Sequence, residues 1–204
     1  MFDNVDMFFI LSILIAYLLG SISPSILLAK AKGINIKKEG SGNAGTTNTL
    51  RVLGKKEAAI TLFVDIGKGI LAVSLAFLIS SPEAAMLSAL AAFCGHVWPV
   101  FFGFKGGKGV AVAFGTILRL NWQIALMMAV LLVVVVLVTR MVSFGSLTVA
   151  VAFPIVCWFM YREFFWIGLI MALILIFKHS SNIKRLLNHE ENKLDFSKLK
   201  GKHN

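Results

Sequence analysis

Residues 7–28 read MFFILSILIAYLLGSISPSILL, an unbroken stretch with no charged side chain. Coiled as a helix, about 20 apolar residues cross the roughly 30 Å of hydrocarbon in a bilayer. Comparable runs follow at 58–80, 84–102, 124–138, 144–160 and 164–177. Apolar residues make up 58% of the 204 and charged ones 15%, more grease than a soluble domain of this size can bury. The expected fold class is therefore an all-α polytopic membrane protein.

The N-terminus, MFDNVDMFF, carries Asp3 and Asp6 and no Lys or Arg, so it lacks the positive n-region of a cleaved signal peptide. The first apolar run is expected to remain as a helix. Cys94 and Cys157 both lie in apolar runs without pairing or metal-ligand spacing, and are expected to be buried free thiols. The net charge of +10 does not indicate nucleic acid: the basic residues stand between hydrophobic runs, without the interleaved aromatics that stack single strands.

Charge also gives a topology. Seventeen of the 20 lysines and arginines fall in 30–56, 103–109, 139–142 and the segment from Lys178 onward, against Arg119 and Arg162 in the alternate breaks. By the positive-inside rule the first group is cytoplasmic and the N-terminus outside, which requires seven transmembrane helices. The weakest crossing is 110–120, VAVAFGTILRL, short of a full span unless it tilts or the bilayer thins. Internal repeats are absent, so the chain reads as one membrane domain, 1–178, followed by a polar motif and basic tail, 179–204.

Two breaks carry more than connectors need. The first, residues 37–56, reads KKEGSGNAGTTNTLRVLGKK. Gly40, Gly42 and Gly45 permit turns whose successive amides form an anion-binding concavity. Ser41, Asn43, Thr46, Thr47 and Asn48 add side-chain donors, and Arg51 a bidentate fork suited to phosphate. The plain alternative is a flexible polar loop at the membrane surface.

In the second, Lys105-Gly106-Gly107-Lys108-Gly109 runs straight into an apolar helix, aiming amides and two ammonium groups at an anion. A nucleotide P-loop is excluded because Gly109, not Ser or Thr, follows the lysine. Here the plain alternative is a snorkelling lysine pair that orients the helix. His96, ahead of Trp98-Pro99, is read as a hydrogen-bonded helix-end residue rather than a catalyst.

Two further clusters are RMVSFGS (140–146), where Ser143 or Ser146 is available to cap a helix, and KHSSNIKR (178–185), where His179 and Asn182 would share a helix face. A Ser–His pair suggests nucleophilic catalysis, yet G-x-S-x-G is missing and no acidic residue evidently orients His179, so a covalent triad is not expected. Asp65 and Lys68, three apart within an apolar run, are expected to pair in the bundle interior. Neither glycine-rich loop has metal-ligand spacing, and no metal or cofactor is expected.

The segments GSGNAGTTNTLRVLG (40–54), GHVWPVFFGFKGGKGVAVAFG (95–115), RMVSFGS and HSSNIKRLLNHEE (179–191), in this order, closely resemble the bacterial acyl-phosphate:glycerol-3-phosphate acyltransferase family, PlsY. The likeness runs from about Tyr17 to Glu191. It implies a seven-helix fold in the bacterial inner membrane with a cytoplasmic active site. It also implies transfer of a fatty acyl group from acyl phosphate to the 1-hydroxyl of glycerol 3-phosphate, giving lysophosphatidic acid. The implied partners are those two substrates, membrane lipid and, functionally, the soluble enzyme that makes acyl phosphate. Carried over by motif, the site comprises Ser41 and Arg51, Lys108, Ser146, and His179 with Asn182. Thr46 stands where the family often has Ala, Ser180 where Arg follows the histidine, and His189 near a frequent Gly.

The residues suit this chemistry. Two substrates bearing phosphates match two basic glycine-rich loops, with Ser41, Gly42, Asn43, Arg51, Lys105, Gly106, Gly107 and Lys108 as phosphate ligands. Acyl phosphate is already activated, so alignment, worth about 7–11 kcal/mol, and oxyanion donors supply the catalysis. Ser146, His179 and Asn182 are the candidate catalytic donors. The attacking hydroxyl would lose its proton to a substrate phosphate or to His179, and the resemblance favours the substrate-assisted route. A small transporter for a phosphorylated solute is the rival of another class, but it would place its polar motifs near the midplane rather than on one side. A scaffold binding anionic lipid through basic loops is a second rival.

Overall fold

A computed structural model of the chain describes residues 6–194. Asp3 and the tail lysines Lys198, Lys200 and Lys202 lie outside the described residues. Each expected apolar run is helical, and no strand occurs among the described residues. The helices are α1 (Met7–Ser21), α2 (Pro24–Ala31), α3 (Thr46–Val52), α4 (Lys55–Ile79), α5 (Pro82–Val97), α6 (Val110–Leu120), α7 (Trp122–Thr139), α8 (Val142–Met160), α9 (Phe165–Lys178) and α10 (Ser180–Leu187).

Five spans among the described residues are long and apolar enough to cross a membrane: Met7–Ala31, Lys55–Ile79, Pro82–Phe102, Trp122–Thr139 and Val142–Met160. A sixth is available if Arg162–Lys178 and Ser180–Leu187, bent by 58° at their junction, count as one. Helix α6, at 11 residues, stays short of a span, as its sequence foretells. Many large apolar side chains face outward along these helices, Phe63, Leu78, Val138 and Phe159 among them. In water that surface would be a liability, whereas in lipid it is the solvated face.

The chain forms two compact units, one ending at Ala125 and one beginning at Leu126. In the first, α1 packs on α5 and α4 on α6. With hydrocarbon on both sides of the comparison, burial drives helix association weakly and close backbone approach does the work. A Cβ added to Gly95 would lie 2.2 Å from the carbonyl oxygen of Tyr17, and one added to Gly115 would lie 2.1 Å from that of Ile66. Ala16, Ala72, Ala92 and Val112 fill the space between, each at most 1% exposed.

Polar groups then lock one end of this unit. The Tyr17 hydroxyl donates to the Trp98 carbonyl at 2.8 Å, and the Val100 amide donates to Ser21 Oγ at 3.3 Å. In the second unit α8 packs on α9, where Phe153 meets Phe164 edge-on and Arg162 lies 3.9 Å above the Trp158 ring.

The expected Asp65–Lys68 pair is present, with Lys68 Nζ 2.7 Å from Asp65 Oδ1 and both side chains buried. Both cysteines are free, Cys157 buried as expected and Cys94 only half-buried.

Candidate active site

The first glycine-rich loop is shaped by a residue whose role its sequence conceals. Asn48 is 1% exposed; its Nδ2 donates to the carbonyls of Ile36 (3.2 Å) and Glu39 (3.0 Å), and its Oδ1 accepts from the Ser41 amide (2.8 Å). Its amide is thus spent on the loop's own backbone and not offered to a ligand, which corrects the expectation from sequence. Gly42, at φ +69°, turns the chain back so that its amide donates to the Glu39 carbonyl at 3.0 Å. Ser41 and Gly42 are exposed at the tip, Asn43 half-buried, and Arg51 exposed in the last turn of α3.

Of the two threonines credited with donors, Thr46 has its Oγ1 buried without a hydrogen-bond partner among the described residues, so it too departs from the expectation. Lys37 Nζ donates to the Phe102 carbonyl at 3.0 Å. Burial, and then the nearby charge of Lys105, lower its pKa below the usual lysine value, which marks local cationic crowding.

The second loop is seated on the end of α5. The Gly106 and Gly107 amides donate to the carbonyls of Val97 (3.2 Å) and His96 (3.1 Å). Gly107 is wedged so tightly that a Cβ there would sit 2.1 Å from His96 Nε2 and 2.7 Å from the Ala44 carbonyl oxygen. Ala44 belongs to the first loop, so the two loops meet at Gly107. Gly109, at φ +90°, precedes α6, whose N-terminus the Lys105–Gly109 segment enters as expected. Lys105 is exposed and Lys108 half-buried.

The second unit places the other candidates. Ser146 does not cap α8: it lies a turn inside, and its hydroxyl donates to the Val142 carbonyl at 2.9 Å. Ser143 does not cap it either, being buried with its Oγ unpartnered among the described residues. His179 and Asn182 do not ride one continuous helix, because His179 is the corner where α9 ends and α10 begins. Both are buried all the same, at 3% and 5% exposure. His179 Nδ1 lies 2.8 Å from the Leu175 carbonyl oxygen, which can only accept. Nδ1 therefore carries a proton in this contact.

Asn182 Nδ2 donates to Glu191 Oε1 at 2.9 Å, and Arg185 Nε donates to Glu191 Oε2 at 2.9 Å. Glu191, 8% exposed, is the member that sequence reasoning missed. A carboxylate nine residues past Asn182, beyond a helix end and next to the exposed Glu190, gives no periodic signal; the clue was its position at the close of the fourth motif.

The family model for glycerol-3-phosphate acyltransferase matches residues 10–189. The chain belongs to the glycerol-3-phosphate acyltransferase family. A protein of that name from Thermoanaerobacter pseudethanolicus is 41% identical over 191 residues, covering 92% of this chain and 96% of the relative. One from Neisseria meningitidis serogroup C is 41% identical over 200 residues, covering 94% and 100%. Among solved structures, PlsY, described as an integral membrane glycerol 3-phosphate acyltransferase in its glycerol 3-phosphate form, superposes with a TM-score of 0.89. It is 32% identical, with 94% of this chain and 98% of that one covered. The same protein in its lysophosphatidic acid form gives 0.84 at 33% identity, with 92% and 95% covered.

In this glycerol-3-phosphate acyltransferase each unit carries its own set of polar groups. The first unit supplies hydroxyls and cations of the kind that hold phosphate, whereas the amides of Ser41, Gly42, Gly106 and Gly107, expected from the sequence to face an anion, are spent within the protein. The second supplies a histidine anchored through Nδ1 and an asparagine clamped by a carboxylate.

Proposed function

We propose that this membrane acyltransferase moves a fatty acyl group from acyl phosphate to the 1-hydroxyl of glycerol 3-phosphate. The hydroxyl oxygen attacks the acyl carbonyl carbon, the bond from that carbon to the phosphate oxygen breaks, and inorganic phosphate leaves as the better leaving group. Lysophosphatidic acid is the other product. Arg51, Lys105 and Lys108, with the side chains of Ser41 and Asn43, hold the two phosphates, and Gly42, Gly106 and Gly107 shape the loops that present them. Ser146 and Asn182 donate to substrate oxygens, Ser146 after releasing its own helix carbonyl.

His179 helps to orient the glycerol moiety, so that the attacking hydroxyl aims its oxygen at the carbonyl carbon and its hydrogen at a phosphate oxygen of the donor. The proton leaves with the departing phosphate, whose oxygens are the more basic acceptors close to the reacting atoms. A structured arrangement of this kind reaches its rate through alignment and charge stabilisation.

The observation that carries this reading is the meeting of two basic, glycine-shaped loops at Gly107, within a chain whose relatives are named for glycerol 3-phosphate. The topology follows from the distribution of lysine and arginine: seven crossings of the bacterial inner membrane, N-terminus outside, loops and site cytoplasmic, with acyl phosphate delivered by the soluble enzyme that makes it.

The test is a reaction of the purified chain with labelled glycerol 3-phosphate and acyl phosphate, with acyl-CoA and acyl carrier protein as control donors. Lysophosphatidic acid and phosphate in equal amounts, from acyl phosphate alone, is the expected result. Turnover with acyl-CoA but not acyl phosphate would sink the donor assignment. Retention of most activity by His179→Gln would be incompatible with an obligatory histidine base and would leave the substrate phosphate as the acceptor.

A further inference from the structure

Beneath the second glycine-rich loop lies a polar cluster that the reaction does not use. Asp65 and Lys68 of α4 and His96 of α5 are 1%, 6% and 5% exposed. Three ionisable groups in the apolar part of a bundle are costly, and an arrangement this closed needs a reason beyond pairing. Lys68 Nζ lies 2.7 Å from Asp65 Oδ1, 2.6 Å from the Ile22 carbonyl oxygen and 3.0 Å from His96 Nδ1. His96 Nδ1 also lies 3.3 Å from Asp65 Oδ1, so the ring edge faces both members of the pair. The imidazole is thus held from below in one orientation, by Lys68 and Asp65 together. Its upper edge is the surface on which Gly107 rests, while its own carbonyl accepts the Gly107 amide at 3.1 Å.

We infer that His96 is a positioning residue for phosphate binding, its ring locked by Lys68 so that the 105–109 loop stays registered against Ala44 of the first loop. The inference rests on the phosphate-binding reading of that loop. Lys68 in turn is held by Asp65 and by the carbonyl that α1 leaves open at Ile22, just before Pro24 of α2. Ring rotation would take away the floor under Gly107, and Lys105 and Lys108 on either side of it would lose their placement before any catalytic group moved. The signature is therefore weaker substrate capture with little change in turnover, which a merely structural cluster would not give.

The experiment compares full-length wild type, His96→Asn, Lys68→Met and the double variant, purified in detergent, under steady-state acyl transfer to glycerol 3-phosphate. His96→Asn keeps a polar group near Lys68 but is too short to reach Gly107. It is expected to raise KM for a phosphate-bearing substrate about tenfold, with kcat within about threefold. Lys68→Met should do the same, and the double variant should be no worse than the worse single one, because both changes act through one ring. Unchanged KM values in folded His96→Asn would overturn the inference, as would multiplying effects or a fall in kcat alone. His96→Asn leaves the Asp65–Lys68 pair in place, so it decides alone if Lys68→Met does not fold. A wild-type protein without acyl transfer would instead sink the proposed function.

Discussion

Glu191 holds Asn182: its Oε1 accepts from Asn182 Nδ2 at 2.9 Å, and its other oxygen accepts from Arg185 Nε at the same distance. This fixes which way the Asn182 amide points, nitrogen toward the carboxylate, in a site too buried for water to substitute freely. Glu191→Ala leaves a buried amide and a guanidinium short of an acceptor. A fall in kcat of about 100-fold is expected, with a lower unfolding temperature in detergent, since losing one side of a buried charged network costs about 3 kcal/mol. Glu191→Gln retains a carbonyl acceptor for Asn182 and should recover part of that loss. Wild-type kcat in the alanine variant would show that Asn182 needs no clamp.

Thr46 illustrates the opposite case. Its hydroxyl is buried and unpartnered, so it pays for desolvation and returns nothing. Thr46→Ala should leave activity within about twofold and raise stability by up to about 1 kcal/mol, read from thermal unfolding of the detergent-solubilised protein. A marked loss of activity would mean that the hydroxyl has a ligand in the working enzyme.

Much of the fold was legible because lipid makes a simple demand: long apolar runs, with cations at their ends. The segments 7–28, 58–80 and 84–102 needed no periodicity to be read as helices, and α6 already looked short. The Asp65–Lys68 pair was legible for a local reason, an i, i+3 spacing on one helix. What stayed hidden depended on contacts between segments. His96 joins Asp65 and Lys68 only because α5 packs on α4, and Asn48 looked like a ligand donor until its three backbone partners were seen. Glu191 was hidden because the chain turns back after α10. Identifying which residues attract phosphate needed only residue types, whereas separating ligands from scaffolding needed geometry.

That turn after α10 yields a third prediction. His189 has φ +58°, in the left-handed region, directly after a helix end whose amides at Asn188 and Glu190 donate back to Lys184 and Arg185. This is the αL helix stop that glycine ordinarily provides, and it explains why the resemblance puts a glycine near this position. An L side chain there costs about 1 kcal/mol. His189→Gly should recover most of that, visible as a higher unfolding temperature. Activity should be unchanged, because His189 is exposed and the turn that carries Glu191 keeps its shape. A lower unfolding temperature would show that the imidazole makes a contact worth more than the strain.

Asn48 offers the sharpest separation of scaffold from ligand. It touches backbone at Ile36, Glu39 and Ser41, so its side chain stands in for a missing stretch of secondary structure across the first loop. Asn48→Ala removes three hydrogen bonds and orphans the Ser41 amide, a cost of about 2–3 kcal/mol. Asn48→Asp keeps the acceptor for Ser41 but turns two donors into acceptors facing carbonyl oxygens, and should be at least as damaging. If Asn48 instead contacted substrate, Asp would repel a phosphate while leaving stability nearly intact. Thermal unfolding and KM for glycerol 3-phosphate, measured on both variants, therefore split the two roles. The scaffold role requires a lower unfolding temperature in both, with KM rising in proportion to the loss of loop order. A variant with wild-type stability and a KM raised about tenfold would make Asn48 a ligand after all.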